Sequence, residues 1–382
     1  MQEENEPFKA LNSIGFLKVS GQVDGALLET IAQDASLSIA RISREDRVGY
    51  VVLGVAPDGT LSERRALLGG GLRYRTSSRL ELPAVGDWVV LRWSDPLRRG
   101  PDEQAMIWQM LPRTGCFVRQ AAGERTEPQV IAANLDVLFI VTSPNAEFEP
   151  RRLERYLLMA EESGATPVVV LNKSDLVADI TPYMRQIEAL TSRPLAAIAT
   201  SSLAGEVEAM RPWLGHGVTC ALVGSSGVGK STITNALLQS QAQPTAAIRE
   251  DDDEGRHTTT ARHMLVLPED QGVLIDTPGM RELQLWAGSG SVSEMFDHDI
   301  VALAARCRFR DCQHIDEPGC AVLQALDDGS LTEGRLASWR KLGRELEWQQ
   351  KRQSVAELRS ESKKRGRMIR QIVKHKKDRK KW

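Results

Sequence analysis

The sequence predicts a multidomain α/β protein with a small β-barrel near its N-terminus and a helical segment at its C-terminus. Short β-type apolar runs fill residues 37–111, apolar runs alternate with helical stretches from about residue 130, and the pattern past residue 290 is helical. A chain of 382 residues is too long to form one compact core, which favours two or three domains. With 41% hydrophobic and 26% charged residues, the composition excludes a wholly disordered chain.

The barrel is predicted at residues 36–112, after an N-terminal extension of residues 1–35 in which no chemistry is evident. Its five short runs suit an antiparallel barrel of the OB type: Leu37–Ile42, Gly49–Val55, Ala66–Tyr74, Trp88–Trp93 and Ala105–Leu111. Barrels of this type often bind nucleic acid, but they also serve only as packing modules. The pattern leaves both interpretations open.

The next domain, predicted at residues 113–289, has the alternation of a parallel or mixed sheet covered by helices. Helical stretches such as Arg151–Ser163 and Thr232–Gln239 alternate with five apolar runs: Leu135–Thr142, Pro167–Leu171, Leu195–Thr200, Val218–Val223 and Gly272–Ile275. Loops at the carboxyl ends of such strands build ligand sites, so the polar segments that follow these runs are the candidates for chemistry.

The strongest motif is Gly224-Ser225-Ser226-Gly227-Val228-Gly229-Lys230-Ser231, which fits G-x-x-x-x-G-K-[ST] between a strand and a helix that continues from Thr232. The glycines let backbone N–H groups approach phosphate oxygens. We expect Lys230 to bind the β- and γ-phosphates and Ser231 to bind Mg²⁺. A glycine-rich turn with a chance Lys-Ser is the alternative, and the flanking strand and helix favour a nucleotide site.

Three further segments accompany this loop. The carboxylate of Asp175, in Asn172-Lys173-Ser174-Asp175, can accept from both the ring imide and the exocyclic amino group of guanine, whereas adenine offers neither donor there. Asp276-Thr277-Pro278-Gly279 would place Asp276 near the metal and the Gly279 amide near the γ-phosphate. Gly255–Thr260 would supply a threonine to Mg²⁺. Taken singly, the three are also plausible as a helix cap, a β-turn and a loop.

A cysteine cluster marks the C-terminal domain, predicted at residues 290–382 with a long charged helix from about 332 to 380. Cys307-x4-Cys312-x-His314-x5-Cys320 supplies the Cys3His set of a closed structural zinc site. The spacing differs from the common C-x2-C knuckle, so a coincidence of buried cysteines or a redox centre is an alternative. Because no coordination position stays open, the ion would fold a small element.

The motif order is unusual, because Asn172–Asp175 precedes Gly224–Ser231, Thr258–Thr260 and Asp276–Gly279. Conventional Ras-like GTPases run from the phosphate loop through the threonine switch and Asp-x-x-Gly to Asn-Lys-x-Asp. The order here is that of a circularly permuted P-loop GTPase domain. With the barrel before it and the cysteine cluster after it, the chain resembles the RsgA family, circularly permuted GTPases of small ribosomal subunit biogenesis, over about residues 37–325.

The resemblance implies an OB-fold, a permuted GTPase domain, a helical zinc-binding C-terminal domain, and GTP hydrolysis stimulated by the small ribosomal subunit. It assigns guanine recognition to Asn172, Lys173 and Asp175, and it places Ser201 and Ser202 over the base. It implies that Gly224–Ser231 holds the phosphates. Thr259 or Thr260 would form the mobile switch, and the family's zinc spacing matches the cysteine cluster.

The residues that would activate water for hydrolysis are marked less fully than those that would bind the nucleotide. Met280 stands where many GTPases place a water-orienting glutamine, so we expect slow intrinsic hydrolysis that the ribosomal subunit completes. His257, beside the threonines, is our hypothesis for the group that positions water. A surface histidine in a loop explains His257 equally well.

Charge and targeting signals suggest the partner. Residues 363–382 hold eleven Lys or Arg and one acid, a net charge of +10, and the rest of the chain carries −12. With the barrel and the zinc element, this tail predicts a surface for the small ribosomal subunit and its rRNA, although a solvated terminus is the simpler alternative. The acidic start lacks the regions of a signal peptide and the five cysteines make no secreted disulfide framework, so we expect a cytoplasmic protein. We expect no membrane partner, because the apolar runs are short, and we expect a monomer.

Two other functions fit the same motifs. A GTP-dependent RNA-binding checkpoint module, or a divergent paralogue acting on another RNA, would use the same nucleotide site with a different output. A P-loop kinase or ATPase is the third possibility, and the guanine-reading segment Asn172–Asp175 argues against it.

Overall fold

The computed structural model describes residues 8–46, 48–76, 78–95, 103–120, 128–145, 148–191, 193–201, 206–238, 262–276 and 300–344. It divides into two compact units, Met1–Gln284 and Leu285–Trp382, each with its own secondary structure. Within the described ranges, no helix is both long enough and apolar enough to cross a bilayer.

Three short helices open the first unit: α1 Lys9–Asn12, α2 Phe16–Ser20 and α3 Gly25–Gln33. Helix α3 begins at Asp24, whose side chain accepts a hydrogen bond from the Ala26 N–H at 3.0 Å and so caps the helix. The segment buries a row of apolar side chains, which are Phe8, Leu11, Ile14, Phe16 and Val19. These residues form a packed part of the unit, a role that the sequence pattern did not reveal.

A closed five-stranded barrel follows. Its strands are β1 Leu37–Glu45, β2 Tyr50–Val55, β3 Leu61–Leu68, β4 Trp88–Arg92 and β5 Gln104–Met110. They pair in the order β1-β2-β3-β5-β4, and β1 also pairs with β4, so the barrel closes. Alternate side chains turn inward and pack around Ile42, Val89 and Ile107. The predicted N-terminal barrel of OB type is confirmed, but it is not wholly antiparallel as expected, because β3 and β5 pair in parallel.

The third predicted strand, Ala66–Tyr74, has the wrong bounds. Strand β3 begins five residues earlier, at Leu61, and after it the chain forms helix α4, Gly70–Arg75. The polar run Ser62–Arg65 concealed the strand, because the outward face of a small barrel is solvated and its side chains need not be apolar. Leu67 lies in β3 and Leu72 in α4, and these apolar residues made Ala66–Tyr74 look like one continuous strand.

The α/β part consists of a β-hairpin and a six-stranded sheet. The hairpin pairs β6 Cys116–Gln120 with β7 Pro128–Ala133. The remaining elements are β8 Val137–Thr142, α5 Pro150–Ser163, β9 Thr166–Leu171, α6 Thr181–Glu188, β10 Ala196–Ala199, β11 Thr219–Val223, α7 Lys230–Leu238, β12 His263–Val266 and β13 Val273–Asp276. The five predicted strands and two predicted helices all occur, within a few residues of their expected ends.

The sheet order is β10-β9-β8-β11-β13-β12, with only β12 antiparallel to its neighbour β13. Its core contains fully buried side chains such as Phe139, Val170 and Leu222. Because β8, β9, β11 and β13 are parallel, their carboxyl ends lie along one edge. The segments that the sequence selected follow three of these four strands, so the topology brings them together.

The barrel and the α/β sheet are continuous. Strand β12 pairs with β13 on one side and with β1 of the barrel on the other, at the residue pair Arg44 and His263, which makes one eleven-stranded sheet. A β-bulge in β1 lies between Ile42 and Arg44. Backbone pairing therefore joins the barrel to β12, the outermost strand of the sheet that carries the nucleotide motifs.

Arg41 lies buried where the N-terminal helices, the barrel and the α/β sheet meet. Its guanidinium donates to the carbonyls of Ile14, Gly86 and Asn134, and to the Thr219 hydroxyl at 2.9 Å. The guanidinium also lies 5.3 Å from the ring centroid of Trp88. Burial lowers the pKa of Arg41 to about 10, which still leaves it charged at neutral pH.

The second unit contains α8 Ala302–Ala304 and α9 Ala321–Asp327, and residues 333–344 are also helical. The rest of the predicted helix at 332–380, with the basic tail, lies outside the described residues. The cysteine cluster occupies the loop between α8 and α9 and the first position before α9, where Cys320 precedes the helix. This unit has a small core around Val322 and Ala325.

Candidate nucleotide site and metal centre

The phosphate loop connects β11 to α7, as the motif predicts. Gly224, Gly227 and Gly229 have left-handed φ angles of 146°, 83° and 100°. A Cβ at Gly224 would lie 2.2 Å from the Val141 carbonyl oxygen, so only glycine lets the loop approach β8 this closely. The resulting turn ends at the N-terminus of a nine-residue helix, an arrangement that attracts phosphate.

Lys230 and Ser231 occupy the first turn of α7. The Lys230 ammonium lies within the loop and donates to the carbonyls of Gly224 at 2.8 Å and Ser225 at 2.6 Å. Ser231 and the neighbouring Thr232 are at least partly accessible to solvent. The side chains that should meet a nucleotide therefore lie at the open side of the loop, while Val228 and Ile233 anchor it in the core.

The segment Asn172–Asp175 contacts the phosphate loop directly. The Asn172 side chain is fully buried and donates through Nδ2 to the Val228 carbonyl at 2.8 Å. The Lys173 ammonium donates to the Gly227 carbonyl at 2.7 Å. The two segments are more than fifty residues apart in sequence, yet two hydrogen bonds fix the position of one relative to the other.

Asp175 is exposed at the end of this segment, within a 3-10 turn at Ser174–Leu176. The Ser201 hydroxyl donates to its Oδ1 at 2.7 Å and so orients the carboxylate. Thr200 donates from its hydroxyl to Asn172 Oδ1 at 3.1 Å and accepts from Ser174 at its carbonyl oxygen. Its signals in the sequence are its place at the end of a predicted strand and directly before Ser201 and Ser202, and no role was assigned to it.

Asp276 is the last residue of β13 and pairs with His263, the first residue of β12. Burial, followed by the nearby charge of Arg44, lowers the pKa of His263, so its imidazole is neutral at neutral pH. The remaining sequence candidates, which are Ser202, His257, Thr259, Thr260 and Gly279, lie outside the described residues. Their roles stay predictions.

The cysteine cluster of the second unit forms a compact donor set. One ligand atom from each of Cys307, Cys312, His314 and Cys320 lies within 4.8 Å of the other three. The Cys307 and Cys320 sulfurs are 3.8 Å apart, and His314 Nδ1 is 3.3 Å from Cys320 Sγ and 3.6 Å from Cys307 Sγ. Tetrahedral zinc with Zn–S bonds of about 2.3 Å would separate two sulfurs by about 3.8 Å. The donor set fits zinc.

Other contacts hold the histidine ligand in place. His314 has a left-handed φ of 59°, its carbonyl accepts from Arg340, and its ring packs 5.6 Å from that of Trp339. The Glu317 carboxylate accepts from the backbone N–H groups of Gln313, Ile315 and Asp316. These hydrogen bonds, with that of Gln313 the largest, lower the pKa of Glu317 to about 2. The loop is thus shaped by its own residues.

A phosphate loop after β11, a guanine-type segment after the earlier strand β9, and an aspartate ending β13 define a circularly permuted P-loop GTPase. The sequence profile of the RsgA GTPase family matches residues 110–286. The chain belongs to the RsgA GTPase family, and it is a GTP hydrolase.

Curated relatives support this placement over most of the chain. The small ribosomal subunit biogenesis GTPase RsgA of Xanthomonas axonopodis is 42% identical over 91% of both chains. The protein of the same name from Methanosarcina acetivorans is 45% identical over 77% of this chain and 78% of its own.

Solved structures share the fold. YjeQ from Thermotoga maritima aligns with a TM-score of 0.57 and 24% identity over 81% of this chain and 98% of its own. YloQ, described as a circularly permuted GTPase, aligns at 0.54 with 23% identity over 82% and 96%.

Proposed function

We propose that this chain binds the small ribosomal subunit, assists its late maturation, and hydrolyses GTP faster when the subunit is bound. The observation that carries the nucleotide part is the direct bonding of Asn172 and Lys173 to the phosphate loop. These bonds hold Asp175 at a fixed distance from the phosphate loop, and its carboxylate, which pairs with the two donors of guanine, selects the base. The ribosomal part rests on the names of relatives that match most of the chain.

In the proposed mechanism, Asp175 accepts from the guanine ring while Ser201 holds that carboxylate in place. On nucleotide binding, the Lys230 ammonium turns from its own loop carbonyls to the β- and γ-phosphate oxygens, where it stabilises the charge of the transition state. Ser202 is assigned to the base, and Gly279 to the γ-phosphate. Thr259 or Thr260 is assigned to the switch, and His257 to the attacking water.

Ser231 and Asp276 are the residues proposed to hold Mg²⁺, since a hydroxyl at the start of α7 and a carboxylate at the end of β13 are oxygen ligands on the same edge of the sheet. The ion supplies positive charge that neutralises the phosphate oxygens. Zinc is proposed at Cys307, Cys312, His314 and Cys320, where all four positions are filled by the protein and the role is structural.

The barrel offers a surface suited to RNA. Helix α4 and the turn after it expose a tyrosine between arginines, namely Arg73, Tyr74, Arg75 and Arg79. Guanidinium groups bind phosphates, and an exposed aromatic ring can stack on an unpaired base. We assign this face, with the basic tail at 363–382, to contacts with ribosomal RNA. A monomer acting in the cytoplasm is the form that this role implies.

The test measures GTP hydrolysis by the purified protein with small subunits, with large subunits, and alone, at moderate salt. We expect slow basal hydrolysis that small subunits alone accelerate. Lys230→Ala should abolish both rates, whereas Lys9→Ala, at an exposed position of α1, should change neither. Slow hydrolysis that small subunits leave unchanged would support the GTPase activity but contradict the proposed role on the small subunit.

The alternative, a checkpoint in which the bound state matters and turnover only resets binding, predicts a different result in cells. A Lys230→Ala protein that still rescued subunit maturation would favour it. Failure of this variant to rescue, with normal rescue by Lys9→Ala, supports hydrolysis as the required step.

A further inference from the structure

One side-chain row crosses from the barrel into the nucleotide site. Arg44 of β1 pairs with His263 of β12, and His263 pairs with Asp276 of β13. Directly opposed residues in antiparallel strands project from the same face, with Cβ atoms about 4.5–5.5 Å apart. The Arg44, His263 and Asp276 side chains therefore form a single row over three strands, with the imidazole in the centre.

The barrel end of this row is held by further charged groups. The Arg44 guanidinium donates to both carboxylate oxygens of Asp46, at 2.8 Å and 3.3 Å. Glu63 of β3 accepts from the Ser43 hydroxyl at 3.0 Å. Asp46, Glu63 and Asp276 favour the protonated form of His263, but burial and Arg44 outweigh them. The imidazole thus lies in an electrostatic environment that barrel and nucleotide-domain residues create together.

The row lies at one end of the hairpin that β12 and β13 form, and the segments expected to approach the γ-phosphate join the hairpin at this end. The chain enters β12 at its His263 end, shortly after Thr258–Thr260, and leaves β13 at Asp276, directly before Thr277-Pro278-Gly279. Both segments that are expected to contact the γ-phosphate thus join the sheet at the end where β1 pairs. The other end of the hairpin, at Val266 and Val273, makes no pairing with β1 among the described residues.

The barrel strand also has a fixed point close by. Arg41 binds β1 to Thr219, the first residue of β11, and the bulge between Ile42 and Arg44 separates this anchor from the row. The part of β1 that contacts β12 thus lies beyond the bulge, separate from the segment that Arg41 holds.

We propose that His263 is a positioning residue that couples occupation of the barrel by structured RNA to the placement of the Asp276 carboxylate. This inference rests on the proposed function and adds the route by which RNA on the barrel accelerates GTP hydrolysis. His263 does not touch nucleotide in this scheme. A change in the position of Arg44, and so of β1, is transmitted through His263 to the Asp276 carboxylate.

The experiment compares His263→Ala with the wild-type protein in four measurements: basal hydrolysis, KM for GTP, affinity for small subunits, and stimulated kcat. We expect the stimulated kcat to fall about tenfold, as for loss of an allosteric coupling. The other three should stay within about twofold, because His263 does not touch nucleotide in this scheme and the backbone pairing of β12 is retained. In the subunit complex, more Mg²⁺ should be needed to saturate binding of a fluorescent, non-hydrolysable GTP analogue.

Two further variants separate coupling from damage. Arg44→Ala removes the arginine of the row and should reproduce the loss of stimulated kcat. The double variant should lose no more stimulated kcat than His263→Ala alone. Arg65→Ala, an exposed arginine on β3, makes the same charge change off the row and should leave stimulated kcat unaltered. Normal stimulation of His263→Ala, or additive losses in the double variant, would overturn the inference. Wild-type protein that subunits do not stimulate would instead overturn the proposed function.

Discussion

In the proposed function, the single side chain of Asp175 sets the nucleotide preference. The carboxylate is exposed, as a group that meets a ligand must be, and the Ser201 hydroxyl fixes it at 2.7 Å. A carboxylate accepts two hydrogen bonds in a plane, and guanine presents two donors side by side. Its selectivity comes from the cost of leaving the carboxylate unpaired against any other base.

Asp175→Asn should therefore change the preferred base. The amide accepts from one ring N–H and donates to a second oxygen, which suits xanthine instead of guanine. We expect GTP affinity to fall on the order of 10²–10³-fold, with xanthosine triphosphate bound in its place. Fluorescent guanine and xanthine nucleotides measure both changes. Asp179→Asn, at an exposed carboxylate that accepts from the Thr181 N–H, is the matched control and should alter neither affinity.

Arg41 acts on stability by satisfying acceptors that water cannot reach. Replacing it with methionine leaves the carbonyls of Ile14, Gly86 and Asn134 without this donor. We expect Arg41→Met to lower the free energy of unfolding by about 3–5 kcal/mol, the range for breaking a buried charged network. Thermal denaturation monitors the loss. Arg65→Met should shift the melting temperature little, and an equal shift in both variants would contradict this role for Arg41.

At the scale of elements, the N-terminal helices are a structural component of the first unit. Phe16 of α2 packs against Trp88 of β4 with ring centroids 5.0 Å apart, and against Phe8 at 5.4 Å. Lys18 reaches the α/β part, where its ammonium lies 2.7 Å from the Asp136 carboxylate. The segment thus contacts both the barrel and the sheet, and it reinforces their junction.

Truncating Phe16 tests this contribution. Because Phe16 is 2% exposed, Phe16→Ala leaves a cavity in the aromatic cluster and should cost about 3–5 kcal/mol of unfolding free energy. The neighbouring Leu17 is 68% exposed, so Leu17→Ala should cost less than about 0.5 kcal/mol. Denaturant titration of the two variants compares them directly. Similar midpoints would show that the helices contribute little to the stability of the unit.

At the scale of the whole molecule, nucleotide binding and the cysteine cluster belong to different units. The nucleotide residues lie in Met1–Gln284 and the Cys3His donors in Leu285–Trp382. The described part of the second unit is small, and the four potential metal ligands converge in it. With zinc bound as proposed, a small element of this kind would depend on the ion for folding.

Cys312→Ser should therefore release zinc and unfold the second unit without altering guanine-nucleotide affinity. Metal analysis should find one zinc per wild-type chain and a loss in the variant, and proteolysis should remove the C-terminal unit first. Cys116→Ser, at a cysteine of β6 in the first unit, is the control and should retain zinc. A parallel loss of nucleotide affinity in Cys312→Ser would show that the two units fold together.

Much of the fold was accessible from sequence where the signal is local. The apolar runs of β8, β9 and β11 are buried on both faces, so composition alone marks them. β3 was misplaced because it has a polar outer face, and β12 was missed because only Met264 of its four residues is buried. The domain boundaries, 36–112, 113–289 and 290–382, stay predictions.

The sequence by itself determined the motifs: a phosphate loop, a carboxylate proposed to read guanine and a Cys3His donor set are each encoded within a few consecutive or closely spaced residues. The tertiary structure alone decided what joins them. Arg41 collects acceptors from four separate segments, Thr200 supports Asn172, and the row Arg44, His263 and Asp276 links the barrel to the nucleotide site. Strand pairing and burial act between residues far apart in the chain, and no local pattern records them.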